Sequence, residues 1–298
     1  MQSITPLKIS LICATYNRTI ELEQLLKSLV AQTYKNFEIV IVDQNKNGLI
    51  DHVCQYYKQY LDLIHVKSNQ LGLSINRNLG IKVAVGNILG FPDDDCTYYP
   101  DTLESIYNIF SYSNLDILYG QIYNRQAKKG VMRKWPGKPF TFTNLKQIML
   151  YSSSIVIFTK NRLSNRFDEN FGVNQNFGAL EDIELCYRHF IKKNKLIYSP
   201  SVQVCHPEVS STFLNSNKAY NYGRGWGAFF AKYIDFKILP LFIGIFGYVG
   251  ILFLRDMFLL RPTAKGRLYS LSGRINGFFD YLINHKLKYN NEKPRAKC

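Results

Sequence analysis

The sequence predicts an α/β fold in which a parallel sheet carries helices on both faces. Short apolar runs of strand length alternate with segments of helical periodicity over roughly the first hundred residues, a pattern typical of such sheets. Acidic residues follow directly after two of the apolar runs, at Asp43 and at Asp93–Asp95. Ligands of open α/β sheets bind beyond the carboxyl ends of the strands, so these acids mark the expected binding edge.

Four strands and three helices are predicted in the first part of the chain. The strands are apolar runs rich in residues that favour extended backbone. The helices show apolar residues three and four positions apart, which places them on one face. The predicted strands cover residues 7–14, 37–42, 63–66 and 88–91, and the predicted helices cover about 19–32, 52–60 and 75–83.

The middle of the chain is less regular. Residues 124–142 contain six Lys or Arg, two Gly and two Pro without a clear period, which predicts a mobile basic loop. Around it we expect helices over 100–110 and 181–192, and strands over 116–122, 153–158 and 196–205. The domain boundary is placed near 210–235, which gives a first domain of residues 1–215 and a second of residues 216–298.

Composition limits the class of protein. Of the 298 residues, 46% are apolar and 20% are charged, which is ordinary globular usage and excludes a disordered or fibrous chain. The net charge of +15 favours anionic partners such as nucleic acid, phosphorylated small molecules or an acidic membrane face. Six cysteines without C-x-x-C spacing indicate no zinc site, and the lack of a recognisable signal peptide points to the cytosol.

The three adjacent carboxylates Asp93–Asp95 are a candidate metal site. They repel one another unless a cation or basic groups neutralise them. Mg²⁺ and Mn²⁺ commonly bind one or two carboxylates together with phosphate oxygens. His206 follows the last predicted strand and is a candidate further ligand, although a structural histidine also fits. A solvated acidic turn before the helix near Pro100 remains the alternative for the acidic run.

Glu181-Asp182 is the candidate general base. Both acids stand in the first turn of a predicted helix, where the helix dipole favours the ionised carboxylate that a base requires. Simple capping explains a single acid equally well. The chain lacks the P-loop pattern and lacks G-x-G-x-x-G after the first strand, which disfavours P-loop ATPases and classical dinucleotide dehydrogenases.

Four segments over residues 7–206 resemble, in order and spacing, the family 2 glycosyltransferases of GT-A fold. They are Thr15-Tyr16-Asn17-Arg18 after the first strand, Val42-Asp43-Gln44-Asn45, LGLSINRNLGIKVAVGNILGFPDDD at 71–95, and FDENFGVNQNFGALEDIELCYR at 167–188. The second departs from the V-D-D-G-S usual in the family. The third ends in a D-x-D motif followed by Cys96, where the family often has another Asp.

The resemblance implies a GT-A fold, that is, a Rossmann-like nucleotide-diphospho-sugar transferase fold, and a role for each matching residue. The implied donor-binding residues are Thr15, Tyr16, Asp43, Arg77, Asp93 and Asp94. The implied ligands of a divalent cation, Mn²⁺ or Mg²⁺, are Asp95, Asp93 and His206. Asp182 is the implied base, which takes a proton from the acceptor hydroxyl while one displacement inverts the anomeric carbon. The resemblance also implies a nucleotide-sugar donor and a bacterial role in surface polysaccharide biosynthesis.

The C-terminal region predicts membrane association. Residues 238–254 carry no formal charge, and residues 255–298 contain ten Lys or Arg against three Asp or Glu; basic residues after an apolar segment are typical of a membrane-facing element. Because a span takes ~20 apolar residues, we expect a segment in the membrane interface or a shallow re-entrant helix pair. A single span near 238–260 and a buried hairpin of a homodimer interface are the alternatives.

The sequence therefore predicts a membrane-associated, metal-dependent glycosyltransferase on the cytoplasmic face of the cell membrane, with a glycan or lipid-linked acceptor. The alternative hypotheses are a nucleotidyltransferase, a basic nucleic-acid-binding protein and a non-catalytic homologue. Nucleic acid is not the expected partner, because the charge is concentrated after an apolar segment rather than spread over one face. The donor nucleotide, the sugar, the acceptor and the choice between Mg²⁺ and Mn²⁺ stay open.

Overall fold

A computed structural model of the chain describes residues 7–162, 165–208, 211–235 and 238–286. The chain forms two compact units. The sheet unit comprises Met1–Asp168 and Asp182–Val209, and the helical unit comprises Glu169–Glu181 and Ser210–Cys298.

The sheet unit is built on one extended β-sheet. Its strand order is β3-β2-β1-β4-β9-β6-β10-β5, with β7 paired to β6 and β8 paired to β10. The strands are β1 Ile9–Thr15, β2 Phe37–Asp43, β3 Leu63–Lys67, β4 Ile88–Gly90, β5 Thr97–Tyr98, β6 Ile117–Asn124, β7 Lys129–Gly130, β8 Phe140–Thr141, β9 Ile157–Lys160 and β10 Leu196–Cys205.

The sheet is mixed rather than wholly parallel. Strands β3, β2, β1 and β4 run parallel, as the alternation predicts. Strand β9 lies between β4 and β6 and runs antiparallel to both, whereas β10 is parallel to β6. The parallel arrangement that the alternation predicts over the first hundred residues is thus found in β1 to β4. Apolar content predicts that a later segment is a strand but does not give its direction.

Six helices accompany the strands in the part of the sheet unit that the structure describes. They are α1 Ile20–Val30, α2 Asp51–Tyr57, α3 Leu73–Val83, α4 Thr102–Tyr112, α5 Leu145–Tyr151 and α6 Glu181–Ile191. In α1 the buried residues are Leu22, Leu25, Leu26 and Leu29, the spacing that defines one helical face. Between strands and helices lies a core that includes Ile12, Val40, Val42, Leu89 and Phe91.

The basic segment 124–142, expected as a loop, contains the two short strands β7 and β8. Trp135 is buried, and its Nε1 donates to the carbonyl of Val131 at 3.0 Å. Its ring stacks near Tyr198 of β10, and Phe140 packs beside the same tyrosine. Aromatic packing therefore orders part of a segment whose charges and prolines indicated only a loop.

The helical unit contains three long helices, α7 Ser216–Tyr233, α8 Leu239–Phe258 and α9 Thr263–Tyr281. Helix α7 covers the stretch in which the sequence placed only a boundary; it contains no Leu, Ile, Val or Met and buries three glycines instead. Helix α8 is continuous through its glycines. It is the one helix within the described ranges long and apolar enough to cross a membrane, and 11% of its 18-residue apolar window is buried.

Candidate functional site

The predicted binding edge forms where β1, β2 and β4 end. Thr15 and Asp43 close β1 and β2 and are direct partners in the parallel register. Strand β4 ends at Gly90, and the chain then reaches Asp93, Asp94 and Asp95. The three parallel strands thus bring together residues that lie far apart in the sequence. Tyr16, directly after β1, is 42% exposed beside them.

Asp94 turns inward and fixes the acidic loop to β1. Its carboxylate accepts a hydrogen bond from Thr15 Oγ1 at 2.8 Å and from Arg18 Nη1 at 2.7 Å. Only 7% of Asp94 is exposed, and burial raises its pKa while Thr15 and Arg18 oppose that shift. Arg18 also pairs with Asp95. Asp94 therefore stabilises the conformation of the acidic loop and its attachment to β1.

Asp93, Asp95 and His206 form a candidate metal centre. Each offers one ligand atom, and these atoms lie within 4.8 Å of one another. The antiparallel pairing of β10 with β5 delivers His206 to the acidic loop, where its Nε2 lies 3.3 Å from Asp95 Oδ1. Two carboxylates and an imidazole are a donor set that suits Mn²⁺ or Mg²⁺.

The imidazole of His206 is oriented for ligation. Its Nδ1 lies 2.7 Å from the carbonyl oxygen of Pro207, which accepts a hydrogen bond from a proton on Nδ1. Nε2 faces Asp95 and donates to that carboxylate when no cation is bound, so Nε2 is the nitrogen that would bind a cation. Such a contact behind the ring fixes the tautomer of metal-binding histidines. Although burial opposes the shift, hydrogen bonding to His206 and the charge of Arg18 lower the pKa of Asp95 to about 2. Asp95 is therefore ionised at neutral pH.

Arg77 is buried behind the acidic loop and holds Asp93. It is fully buried, and its Nη2 donates to Asp93 Oδ1 at 2.7 Å and to Ser154 Oγ at 2.9 Å. Its guanidinium lies 5.3 Å from the ring centroid of Phe167. Burial raises the pKa of Asp93, and the charge of Arg77 opposes that rise. Arg77 thus positions one of the candidate ligands.

Asp43 lies at the centre of a polar corner at the ends of β2 and β3. Its carboxylate accepts from Lys67 Nζ at 2.7 Å and from the backbone of Asn45 at 2.8 Å, and it lies 3.0 Å from His65 Nε2. Burial raises the pKa of Asp43, but the hydrogen bonds, led by that of Lys67, bring it below its ordinary value. Lys67 also pairs with Asp51.

Sequence reasoning missed His65 and Lys67. Both lie on β3 in register with β2, Lys67 opposite Asp43 and His65 opposite Ile41. Polar residues in an otherwise apolar strand next to a predicted ligand strand were the signal that could have found them.

Asp182, the second residue of α6, is the candidate base. Its Oδ1 accepts from the backbone of Ile183 at 2.7 Å. Burial raises the pKa of Asp182, and the charges of Arg77 and Arg133 act against that rise. Arg133 is a further residue that the sequence did not single out, because it lies among other basic residues of the segment 124–142. The neighbouring Glu181 opens the helix and is 8% exposed.

A cavity of about 500 Å³ lies within the sheet unit, and Arg133 forms part of its wall. Arg133, Lys134 and Trp135 line it, and so does Glu208, two residues beyond His206. Glu208 pairs with Lys129 at 2.6 Å. The cavity is therefore open, its lining mixes polar and apolar residues, and it includes the arginine that acts on Asp182.

Comparison with known proteins points to one family. A sequence model described as glycosyl transferase family 2 matches residues 10–171, more than half of the chain. The poly(ribitol-phosphate) beta-N-acetylglucosaminyltransferase TarP of Staphylococcus aureus is 25% identical over 219 residues, which is 72% of this chain and 59% of TarP. The chain spans less than two thirds of the length of the first curated relatives that it matches.

Solved structures share the fold. Residues 1–349 of S. aureus TarS in complex with UDP give a TM-score of 0.55 at 19% identity, covering 93% of this chain and 92% of that one. A mannosyltransferase from Pyrobaculum calidifontis in complex with GDP-Man and Mn²⁺ gives a TM-score of 0.61 at 14% identity, covering 93% and 88%. The likeness extends over both units and supports the GT-A prediction.

Proposed function

Because the chain belongs to glycosyl transferase family 2, we propose that it transfers a sugar from a nucleotide-sugar donor to a hydroxyl of a glycan acceptor. The observation that carries this proposal is the convergence of Asp93, Asp95 and His206 on one point of the sheet edge. Thr15 and Asp43 end the adjacent strands, where a nucleotide of an α/β sheet is expected.

The donor side is a nucleoside diphosphate and its sugar. TarS in complex with UDP and the mannosyltransferase with GDP-Man and Mn²⁺ support this class of donor and a divalent cation. Asp95, Asp93 and His206 are the residues that would hold the ion. A divalent cation bound there would offset the negative charge that grows on the departing diphosphate. Tyr16, which is exposed, contacts the nucleoside in this proposal, and the buried Thr15 and Asp43 shape the strand ends beside it.

Asp182 acts as the base in a single displacement. Its carboxylate accepts the proton of the acceptor hydroxyl, whose oxygen forms a bond to the anomeric carbon as the bond to the diphosphate breaks. The anomeric configuration inverts, and one base suffices. Arg77 and Arg133 favour the charged form of Asp182 before the proton arrives. The cavity lined by Arg133 receives the acceptor in this proposal.

The acceptor is a lipid-linked glycan of surface polysaccharide assembly, handled at the inner face of the membrane. TarP, a poly(ribitol-phosphate) beta-N-acetylglucosaminyltransferase, supports a polymeric acceptor. The exposed apolar helix α8 and the excess of basic residues after it support a location at the membrane surface.

Nucleotide binding tests the donor site directly. We expect one of UDP, GDP and dTDP to bind the full chain tightly in the presence of Mn²⁺ and weakly without it. Asp95→Ala should abolish the dependence on Mn²⁺, while the exposed carboxylate change Glu23→Gln should leave it intact. A folded protein that binds none of the three would contradict the proposal.

The product separates transfer from other nucleotide chemistry. A glycosyltransferase releases a nucleoside diphosphate, whereas a nucleotidyltransferase releases pyrophosphate. We expect Asp182→Asn to retain nucleotide binding and to lose about 10²- to 10⁴-fold in transfer, the usual contribution of a general base. Unchanged transfer in this variant would remove Asp182 from the mechanism.

A further inference from the structure

Helix α8 ends in a Schellman turn whose left-handed position holds a leucine. The N–H of Arg261 donates to the carbonyl of Asp256 at 2.8 Å, and the N–H of Leu260 donates to that of Met257 at 3.1 Å. Leu260 has φ +50°. Glycine is usual at this position, because the Cβ of any other residue crowds the backbone in the left-handed region.

The same leucine is almost fully exposed. Leu260 is 92% accessible, and the preceding Phe258 and Leu259 are 79% and 56% accessible. In water this turn is unfavourable twice, because its backbone is strained and its three consecutive side chains are apolar. Among the described residues with positive φ, Leu180 is also a leucine but is buried. The positive φ and the exposed apolar side chain of Leu260 together indicate that this surface contacts an apolar phase or partner rather than water.

Arginines surround the exposed tip. The buried carboxylate of Asp256 accepts from Arg255 Nη2 and Arg267 Nε, each at 2.6 Å, and lies 3.6 Å from Arg261 Nη1. One carboxylate thus faces three guanidinium groups, and the cluster keeps a positive charge. The side chains of Arg255 and Arg261 are 44% and 49% exposed on either side of the apolar tip.

We propose that the α8–α9 turn, residues 255–261, enters the surface of an anionic phospholipid bilayer. Phe258, Leu259 and Leu260 enter the boundary between headgroups and acyl chains, and Arg255 and Arg261 bind lipid phosphates. This deepens the membrane-surface location that forms part of the proposed function, and it rests on it. Charge selects a bilayer over a second copy of the chain, because two such turns would bring like-charged arginine clusters together.

Stability and membrane binding should respond in opposite directions to one substitution. In Leu260→Gly, the relief of backbone strain should raise the Tm by about 2 °C. The lost apolar side chain should lower partitioning to vesicles of phosphatidylglycerol and phosphatidylcholine about tenfold, measured by co-sedimentation of the full chain. Met132→Gly is the matched control, since Met132 is also apolar, exposed and at positive φ (66°), and its partitioning should not change.

The arginines are tested by lipid selectivity. Arg255→Gln with Arg261→Gln should remove the preference for phosphatidylglycerol over pure phosphatidylcholine vesicles, at about fivefold per residue. The matched Lys pair should keep that preference. Each variant's Tm reports whether the fold survives, and Leu260→Asn, which also tolerates the left-handed region, repeats the apolar test.

Two outcomes would overturn the assignment. In the first, Leu260→Gly binds vesicles as the parent does, and binding is abolished by a combined change of four basic residues to Gln at Lys288, Lys293, Arg295 and Lys297. That result would assign the membrane contact to the basic tail. Alternatively, Leu260→Gly could change the oligomeric state without lipid, which would assign the turn to a second copy. Nucleotide binding in solution is measured separately, so a failure of the proposed transferase activity leaves this result readable.

Discussion

Arg77 illustrates how the sheet unit stabilises a charge beneath its acidic loop. A fully buried guanidinium loses its hydration and persists only where hydrogen-bond acceptors replace water. Asp93 and Ser154 supply such acceptors, and the ring of Phe167 lies beside the cation. The cation in turn counters the repulsion within the acidic loop. Positioning of the candidate ligand and stability of the fold are therefore properties of the same contact.

Replacement of this arginine should weaken both properties. We expect Arg77→Met to lower the free energy of unfolding by about 3 kcal/mol, in the range for breaking a buried pair, and to weaken Mn²⁺-dependent nucleotide binding. Ser154→Ala, which removes one neutral acceptor, should cost only about 1 kcal/mol. Urea unfolding measures both. Equal midpoints for the two variants would show that the guanidinium carries no special role.

The rate of sugar transfer should fall at acid pH, because Asp182 must be ionised to act as the base. Its pKa is raised above the ordinary 3.8 by burial, and only the ionised carboxylate accepts a proton. Transfer should therefore be greatest above the raised pKa and fall as the pH drops through it. The profile of kcat/KM between about pH 4 and pH 8 measures this. Nucleotide binding over the same range is the control, and a rate that stays flat to the acid end would contradict the role.

Part of the candidate site could be predicted from the sequence. Thr15, Asp43 and the acidic run were predicted at one edge because parallel strands end together, and the structure brings them there. Lys67 and Arg133 were not, because pairing across strands and folding of a basic segment decide which of many similar residues reach a carboxylate. The local sequence gives the type of each residue but does not show which residue it contacts in the folded protein.

At the scale of elements, glycines set the packing of α7 against α9. A Cβ on Gly223 or Gly227 of α7 would fall on the backbone of Ser270 or Arg274 of α9. A Cβ on Gly273 or Gly277 of α9 would likewise meet the backbone of α7. Both helices thus approach at backbone distance, and no rotamer change can make room. The glycines of α8 differ, since a Cβ there meets nothing within 4 Å.

This contrast predicts opposite effects of one substitution in one unit. Gly227→Ala should lower the free energy of unfolding by about 3 kcal/mol, because the backbone of α9 must move. Gly247→Ala should raise it by about 0.5–1 kcal/mol, because alanine favours the helix and meets open space. Thermal unfolding of the two variants beside the parent checks this. Equal Tm values would show that α7 and α9 do not pack at backbone distance.

Elements with branched or aliphatic residues at regular spacing were predictable, and α7 was not. Helices α1 and α4 were predictable because aliphatic residues form their buried faces. Helix α3 was predicted in the right place, but its buried residues are Ser74, Asn76, Arg77, Asn78 and Gly80. Helix α7 buries glycine, alanine and phenylalanine against another helix, a pattern that hydrophobic periodicity does not detect. The short strands β5, β7 and β8 depend on pairing with longer strands and have no signal of their own.

Considered over the whole molecule, each carboxylate of the acidic run has an arginine partner within the sheet unit. Arg18 pairs with Asp94 and Asp95, and Arg77 pairs with Asp93. A divalent cation would compete with Arg18 for Asp95, so the fold does not rely on the ion. Basic residues of the sheet unit itself therefore offset the electrostatic repulsion within the acidic run.

Chelation should therefore affect binding more than folding. We expect excess EDTA to weaken nucleotide affinity tenfold or more and to shift the Tm of the nucleotide-free protein by less than about 2 °C. Calorimetry and a nucleotide titration measure the two effects. Unfolding on chelation would instead assign the ion a structural role, as in metal-dependent small domains.

The position of β10 in the sheet has a consequence for how the protein is made. This strand joins β6 on one side and β5 on the other, yet it leaves the ribosome after all other strands of the sheet unit. Until then β6 presents an unpaired edge, and pairing β10 with β5 closes a loop of about a hundred residues, a slow step for contacts so distant in sequence. The nascent chain is thus exposed to aggregation through that edge, and chaperones that shield β6 should increase the soluble yield.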